Sequence, residues 1–284
     1  MSVLLILYNN NGAVICSDSR ENSGPINFNN TIKVRYNESI IVGQIGLYSY
    51  NNIDYKKIIT EELLKGKELN QILNGKYKNI NPEVKKYIIE NNIYVQHQLK
   101  NYLTSKRLLH VTSVKNLALN IYKSNKEGLN KNKIVTACLL HDVAREFTNT
   151  RLKNIVKKYY PERIGEQGYI LHQYVGEYIA KKKFYIEDNE ILEAIKWHTT
   201  GSENMNKLSK LVYVSDKLDP LRPYDTTPLI NKCKKNLNEG FIEVLKDKIR
   251  FSIKKDEIKT LSEATKEAIN HYLKGEIDGV RINY

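Results

Sequence analysis

The sequence predicts a mainly α-helical protein, a helical bundle preceded by a small β-rich N-terminal module. Apolar residues follow strand-like patterns only over residues 1–54, and beyond them they recur at helical spacing. In the helical part, four histidines and two aspartates occur at five places along the chain, one of which holds an adjacent His-Asp pair. These places are 18 to 31 residues apart, each interval about one helix plus a connection. We expect three segments: the β-rich module 1–54, a helical linker 55–96 and the main domain 97–284.

The β-rich module is predicted from short apolar runs separated by turn residues. Residues 2–8 and 12–16 are typical of two buried strands, and the Asn-rich turn ending at Gly12 joins them as a hairpin. Two further strands are expected at 31–36 and 39–42. The stretch around this hairpin resembles the opening of proteasome-type N-terminal-nucleophile hydrolases over residues 2–50, which would imply Ser2 as nucleophile. Only this segment matches, so we expect a β-rich module of unknown role.

The linker is predicted to be helical, because Ile58, Ile59, Leu63 and Leu64 follow the helical period. A second linker helix is expected to begin at Pro82. Residues 73–94 resemble the C-terminal tail of nicotinate mononucleotide adenylyltransferases, which some small-genome bacteria fuse ahead of another catalytic domain. The Gly-rich ATP-binding stretch of that enzyme is missing. The resemblance implies a fusion remnant or linker without adenylyltransfer, with part of a bifunctional NAD-biosynthesis fusion as an alternative.

Composition favours a soluble cytoplasmic protein. No apolar run is long enough to span a bilayer, and no charged-then-apolar leader opens the chain. The three cysteines are far apart and form neither a disulfide framework nor a CxxC site. The net charge of +13 comes from lysines spread along the chain, so it does not favour nucleic acid over a polyanionic small molecule.

The main domain is organised around the run that ends in His141 and Asp142. Ile134, Ala137 and Cys138 form an apolar helical stripe, and the next inward position of that helix is His141. Ionisable groups aimed at a core are costly unless a charge meets them, and a divalent metal is the usual partner of imidazole and carboxylate. A single such histidine is more often a hydrogen-bonded core residue. Here the same arrangement, a ligand-type residue on the apolar side of a helix, recurs on several predicted helices. The candidate ligands are His110, His141, Asp142, His172, His198 and Asp216.

Five blocks of sequence carry a resemblance to one family. They are residues 106–110, 139–145, 170–176, 197–201 and 213–222. In this order they resemble the YqeK-like branch of the HD-domain metal-dependent phosphohydrolases, over residues 97–275. The resemblance implies an HD-domain helical bundle and hydrolysis of diadenosine tetraphosphate to two ADP. A homodimer through the helical domain is also implied.

The resemblance assigns the six ligand-type residues to two metal ions. One ion would be held by His110, His141, Asp142 and Asp216, and the second by His172 and His198, with Asp142 bridging both and therefore also catalytic. The family favours iron, with manganese or another divalent ion as alternatives. Two such cations acidify a shared water, so the attacking group would be a metal-activated hydroxide.

Substrate contacts are expected from positive and hydroxyl side chains beside the ligands. Arg145 could meet phosphate oxygens and act in catalysis, and Arg107 could bind phosphate one turn before His110. Arg222 is expected to bind a phosphate group through two of its N–H donors. Hydroxyls and a free backbone N–H are expected from the segment after His198, namely Thr199, Thr200 and Gly201. The family often has Lys at Arg145 and Glu at Asp219, which affects expected substrate contacts and leaves the metal ligands unchanged.

Two other functions remain open from the sequence. The same HD site could act on another nucleotide or an alarmone. Alternatively, the chain could be a regulatory or nucleic-acid-binding protein with a vestigial site, although the intact ligand set argues against decay. Metal analysis separates the last hypothesis from the others, and product identification separates the first two.

Overall fold

The computed structural model describes most of the chain from residue 67 onward and only short pieces before it. The described ranges are 3–9, 12–18, 35–37, 40–42, 49–50, 53–54, 67–78, 80, 82–125 and 128–282. The chain divides into two compact units, Met1–Tyr87 and Ile88–Tyr284. The predicted nucleophile Ser2 and the predicted helix around Ile58 lie outside the described residues.

The first unit contains three separate antiparallel two-stranded ladders in its described part. The strands are β1 Val3–Asn9, β2 Gly12–Asp18, β3 Arg35–Asn37, β4 Ile40–Val42, β5 Ser49–Tyr50 and β6 Ile53–Asp54. In the first ladder Asn9 pairs with Gly12, and the predicted turn residues between them lie outside the described residues. The ladders do not join into one sheet in the described ranges, and a β-rich module with one fold stays a prediction.

Two helices follow the strands among the residues that the structure describes. They are α1 Lys67–Leu73 and α2 Pro82–Glu90, and the division between the two units falls within α2. Helix α2 begins at Pro82, the position that the sequence predicts, because proline lacks the N–H that a first helical residue leaves unpaired. The segment boundaries at 54 and 96 stay predictions.

The second unit is a bundle of helices. Its helices are α3 Val95–Leu99, α4 Ser105–Asn125, α5 Lys131–Leu140, α6 Asn149–Tyr159, α7 Leu171–Lys183, α8 Asn189–Lys196, α9 Lys207–Lys217, α10 Thr227–Lys235, α11 Leu237–Lys254 and α12 Glu263–Leu273. Short 3₁₀ turns cover Pro161–Arg163 and Ile258–Thr260, and strands β7 Glu276–Ile277 and β8 Val280–Arg281 form a final hairpin. The predicted mainly α-helical fold is therefore confirmed.

Local sequence fixes many helix starts. Side-chain oxygens of the residue before the helix accept hydrogen bonds from its first N–H groups, and each such cap contributes about 0.5–2 kcal/mol. The capping residues of α5, α6, α8, α9, α11 and α12 are Asn130, Thr148, Asp188, Asn206, Asn236 and Ser262. Three of these capped helices, α5, α8 and α9, lead to or carry ligand-type residues, so their caps help to set the positions of those side chains.

Helix α5 lies at the centre of the bundle. Its residues Ile134, Ala137, Cys138 and Leu140 are fully buried, and it packs against α4, α8 and α9. The residues that follow directly after its C-terminal end therefore enter the interior between those helices. None of the helices in the described part of the chain is both long enough and apolar enough to cross a membrane.

Candidate metal centre

The six predicted ligands come together in the second unit, from helices and from turns. His110 lies in α4, His172 near the start of α7 and Asp216 in α9. His141 and Asp142 follow the last residue of α5, and His198 lies two residues beyond the end of α8. Helix α5 ends at Leu140, and His141, the next inward position of its apolar stripe, is the C-cap residue, with α-helical backbone angles and a fully buried side chain.

Directly after α5 the chain forms a tighter turn. The N–H of Val143 donates to the carbonyl of Leu140 at 3.1 Å, and the N–H of Arg145 donates to that of Asp142 at 2.9 Å. These bonds span three residues, so the chain tightens beyond the α-helical geometry. The tightened turn brings His141 and Asp142, adjacent in sequence, into the same site.

The two carboxylate oxygens of Asp142 face two different pairs of imidazoles. Oδ2 lies 3.6 Å from Nε2 of His110 and 3.7 Å from Nε2 of His141. Oδ1 lies 3.2 Å from Nε2 of His172 and 3.4 Å from Nε2 of His198. Two groups of potential ligand atoms, each with all members within 4.8 Å of one another, thus share this one carboxylate.

Asp216 lies on the side of the first pair. Its Oδ1 is 3.3 Å from Nε2 of His110 and 3.9 Å from Nε2 of His141. Its Oδ2 accepts a hydrogen bond from Nζ of Lys217 at 2.7 Å. Asp216 therefore lies beside the His110 and His141 imidazoles, and the division of the ligands between two ions stays a prediction.

Three of the imidazoles are oriented in the same way. Nδ1 of His141, His172 and His198 each lies 2.7 Å from the carbonyl oxygen three residues earlier, that of Cys138, Tyr169 and Ile195. A carbonyl only accepts, so each Nδ1 carries the proton. The Nε2 atom of each neutral imidazole is then a lone-pair donor that faces the other ligands.

These facing lone pairs fit bound cations. The buried Nε2 of His141 has no hydrogen-bond partner in the described part of the chain. Nε2 of His172 lies 3.0 Å from Nε2 of His198, which places two lone pairs against each other. A metal ion relieves both situations, because imidazole nitrogens and carboxylate oxygens are ligands for iron, manganese and zinc. The donor set thus fits a metal centre.

Burial and neighbouring charges shift the pKa values of the imidazoles and carboxylates at the site. Burial lowers the pKa of His141 to about 4 and also lowers the pKa of His198, so these imidazoles are neutral. Burial alone would lower the pKa of His110, but hydrogen bonds and charges of Asp216 and its neighbouring carboxylates raise it. Burial would raise the pKa of Asp142 and Asp216, but the surrounding imidazoles, and Lys217 at Asp216, hold both well below the usual range.

His110 is oriented by a carboxylate that the sequence prediction did not place near the metal ligands. Oδ2 of Asp219 lies 2.6 Å from Nδ1 of His110, and Oδ1 of Asp219 accepts a hydrogen bond from Ser113 at 2.5 Å. Asp219 is buried. An outer carboxylate that fixes the tautomer of a metal-binding histidine is a usual feature of metal sites, but this rule does not say which carboxylate it is.

The predicted arginine contacts lie beside the ligands. Nη1 of Arg107 donates to Oδ2 of Asp142 at 2.8 Å. Nη1 of Arg145 donates to the Tyr169 carbonyl at 3.0 Å. The same carbonyl accepts a hydrogen bond from Nδ1 of His172. The Arg107 guanidinium thus contacts a candidate ligand directly, whereas that of Arg145 lies against the Nδ1 edge of His172. The contact of both with substrate stays a prediction.

Arg222 and Lys217 add positive charge at the C-terminal end of α9. Arg222 donates from Nη2 to the backbone carbonyl of Asp216 at 2.8 Å, and the same nitrogen lies 3.6 Å from Oδ1 of Asp216. Lys217 donates to the carbonyl of His198 at 3.1 Å. The predicted phosphate-binding residue Arg222 thus lies next to the Asp216 side of the centre.

The segment after His198 is arranged differently from the expectation. The N–H groups of Thr199 and Thr200 donate to Oε1 of Gln173 at 3.2 and 3.3 Å, and that of Gly201 donates to the carbonyl of Trp197 at 2.9 Å. The expected free backbone N–H is therefore wrong for all three residues.

The hydroxyls of this segment are arranged in two ways. The hydroxyl of the buried Thr200 donates a hydrogen bond to the carbonyl of Gly201 and accepts one from the side-chain NH₂ group of Gln173. The hydroxyl of Thr199 remains at the centre, 3.0 Å from Nε2 of His198. Gln173 was missed because an amide directly after a predicted ligand carries no distinctive signal.

Comparisons with known proteins agree with this geometry. The family model described as HD domain matches residues 107–221. A relative from Halalkalibacterium halodurans, named symmetrical bis(5'-nucleosyl)-tetraphosphatase, is 30% identical over 166 residues, which cover 56% of this chain and 86% of the relative. A relative from Mycoplasma genitalium, named probable nicotinate-nucleotide adenylyltransferase/Ap4A hydrolase, is 31% identical over 202 residues. That match covers 69% of this chain and 56% of the relative, so the chain spans about half of that longer protein.

A solved structure shows the same fold. The crystal structure from Clostridium acetobutylicum, described as a predicted HD superfamily hydrolase involved in NAD metabolism, is 29% identical with a TM-score of 0.58. The similarity covers 64% of this chain and 96% of that one. Together these matches show that the chain belongs to the HD-domain hydrolases, in the family of the symmetrical bis(5'-nucleosyl)-tetraphosphatases.

Proposed function

We propose that this protein hydrolyses dinucleoside polyphosphates in a metal-dependent reaction, with diadenosine tetraphosphate and water giving two ADP. The observation that supports this most is the position of Asp142, whose two oxygens each face a separate pair of imidazoles. The Halalkalibacterium halodurans relative, which is named for this reaction, supports the substrate class.

The residues would hold two cations. His110, His141 and Asp216 would bind one, His172 and His198 the other, and Asp142 both. Iron is the expected metal, with manganese or another divalent ion as alternatives. When bound, such cations lower the pKa of a shared water and neutralise charge on the attacked phosphate.

The remaining residues would bind and orient the phosphate chain. Arg107 contacts Oδ2 of Asp142, Arg145 lies beside His172, and Arg222 lies beside Asp216. Guanidinium groups suit phosphate oxygens because their fixed N–H donors match the spacing of those oxygens. We assign Arg145 a catalytic role at the phosphate under attack, and the Thr199 hydroxyl a phosphate contact on the His198 side.

Symmetrical cleavage requires the middle of the tetraphosphate to lie at Asp142. The water oxygen forms a bond to one central phosphorus, and the bond from that phosphorus to the central bridging oxygen breaks. The bridging oxygen leaves with the second ADP. One of the two water protons remains with the oxygen that is now bound to the attacked phosphorus, or is released from it to solvent. The other protonates the departing bridging oxygen, so the products are two ADP.

The test combines metal content with product identification. Purified protein should contain iron or manganese, and incubation with diadenosine tetraphosphate should give ADP alone. The variant Asp142→Asn should give no product, whereas Asp247→Asn, at an exposed position of α11, should react like the unaltered protein. Formation of AMP plus ATP, or no turnover by metal-loaded protein, would contradict the proposal.

A second candidate is an HD phosphohydrolase acting on another nucleotide. The observation that favours it is the similarity to the Clostridium acetobutylicum hydrolase, which is described as involved in NAD metabolism. A panel of mononucleotides, dinucleotides and alarmones, each compared by kcat/KM, separates the two candidates. Part of a bifunctional NAD-biosynthesis fusion, a homodimer and a cytoplasmic location stay predictions.

A further inference from the structure

Lys248 is a lysine that the sequence prediction did not single out. It lies in α11, beyond the residues matched by the HD-domain model, and its side chain is partly buried. Its Nζ donates a hydrogen bond to the carbonyl of Thr199 at 2.8 Å. A helix outside the family motif therefore brings a positive charge to the segment that follows the ligand His198.

The position of Thr199 links this lysine to the metal centre. The Thr199 hydroxyl lies 3.0 Å from Nε2 of His198 and 3.3 Å from Nε2 of His172. Lys217 donates to the neighbouring carbonyl of His198 at 3.1 Å. Two lysines from α9 and α11 thus converge on consecutive backbone carbonyls beside the second pair of imidazoles.

The two lysines differ in their charge balance. Lys217 forms an ion pair with Asp216 at 2.7 Å. No carboxylate lies within ion-pair distance of Lys248 in the part of the chain that the structure describes, although the negative charge of Asp216 acts on it from farther away. Burying an unpaired ammonium is costly unless an anion meets it. Such a cost is expected where the anion belongs to a ligand that binds reversibly.

We propose that Lys248 is a further substrate-binding residue, which binds phosphate oxygens of the nucleotide on the Thr199 side of the metal centre. This inference rests on the proposed function for the identity of the nucleotide, but the binding of a phosphate anion there does not depend on it. A backbone carbonyl satisfies one N–H of Lys248, and its other two remain for phosphate.

The test compares Lys248→Met, Lys248→Arg and the control Lys246→Met. Lys246 lies on the same helix, but its ammonium group contacts Glu243. A charge-assisted bond to phosphate corresponds to about 10- to 100-fold in affinity. We expect Lys248→Met to raise the KM for diadenosine tetraphosphate by about 10-fold or more, with a smaller effect on kcat. Lys248→Arg should recover most of the loss, and Lys246→Met should change nothing.

A binding measurement keeps this inference separate from the proposed function. Isothermal titration of the metal-loaded variants with inorganic pyrophosphate should show weaker binding by Lys248→Met alone, by the same factor. If the protein does not hydrolyse diadenosine tetraphosphate, the proposed function fails and the pyrophosphate comparison still decides the role of Lys248. Equal pyrophosphate affinities, or a loss of kcat and thermal stability with unchanged KM, would overturn the inference, because the lysine would then only anchor Thr199.

Discussion

Nδ1 of His110 lies 2.6 Å from Oδ2 of Asp219, although 109 positions separate the two residues. The carboxylate accepts a hydrogen bond from Nδ1–H and thereby leaves Nε2 as the lone-pair atom of the neutral His110 ring. That Nε2 faces Asp216 at 3.3 Å and Asp142 at 3.6 Å. Asp219 thus determines which nitrogen of His110 is available to a metal ion.

Replacing Asp219 by Asn should weaken metal binding without removing any ligand. The amide can no longer hold the His110 ring with a negative charge, and loss of such outer partners costs about 10- to 100-fold in metal affinity. Titration of metal-free protein with Mn²⁺ or Fe²⁺, followed by activity recovery, measures this. The control is Asp225→Asn, in a fully exposed turn where the carboxylate caps the N–H of Thr227. Equal metal affinities of both variants would show that Asp219 has no role in orientation.

Replacing Asp142 by Asn should lower the number of bound ions as well as the rate. The amide offers one neutral oxygen in place of two charged ones, and it cannot face both pairs of imidazoles as an acceptor. We expect turnover to fall to the level of buffer, with metal per chain clearly reduced and the helical circular dichroism retained. Metal analysis by mass spectrometry measures the ion content. A variant that keeps the full ion content and normal turnover would exclude Asp142 as the shared ligand.

That the candidate ligands point into the bundle could be predicted, because periodicity reports which side of a helix is apolar. His110 and Asp216 lie within helices at positions that this pattern places inward. The pattern does not show where a helix ends, so it could not reveal that His141 and His198 lie in turns after α5 and α8. Turn geometry there depends on bonds between residues three apart, which many sequences can form.

Contacts between segments far apart in the sequence could not be predicted from the sequence alone. Asp219 and Lys248 meet His110 and Thr199 only because α4, α9 and α11 pack in one bundle. The expected free N–H after His198 failed for a related reason, since the acceptor that occupies two of these donors is Gln173 on another helix. Local patterns fix elements and their inward faces, whereas partners across the bundle require its packing.

Replacing Gln173 by Leu should destabilise the protein, because it leaves polar groups in the interior unpaired. Gln173 is fully buried and accepts the N–H groups of both Thr199 and Thr200. An unsatisfied buried donor costs about 1–3 kcal/mol, so we expect the free energy of unfolding to fall by about 2–4 kcal/mol.

Urea denaturation measures this change. The control Gln167→Leu loses one bond, to the carbonyl of Thr260, in an exposed environment, and should cost less than about 1 kcal/mol. If the two variants are equally stable, the amide of Gln173 does not hold the segment that carries the Thr199 hydroxyl.

Replacing Lys248 by Met should stabilise the protein at neutral pH, although it weakens phosphate binding. Burial, and then the charge of Lys217, lower the pKa of Lys248 to about 7, and the charge of Asp216 on α9 only partly opposes them. In the unfolded chain the same lysine binds a proton up to its ordinary pKa of 10.5. Between these values the unfolded state binds more protons at this position, so the free energy of unfolding of the unaltered protein rises with pH across that window.

The methionine variant has no such proton to bind. Its gain in Tm over the unaltered protein should therefore be largest at pH 7 and below, and should shrink toward zero as the pH approaches 10.5. Scanning calorimetry across this range measures the difference, with Lys246→Met as the variant expected to show a constant one. A gain in Tm at low pH together with a loss of pyrophosphate affinity identifies a charge kept for ligand binding at the expense of stability. A pH-independent loss of Tm would instead show that the carbonyl of Thr199 needs this lysine as a structural partner.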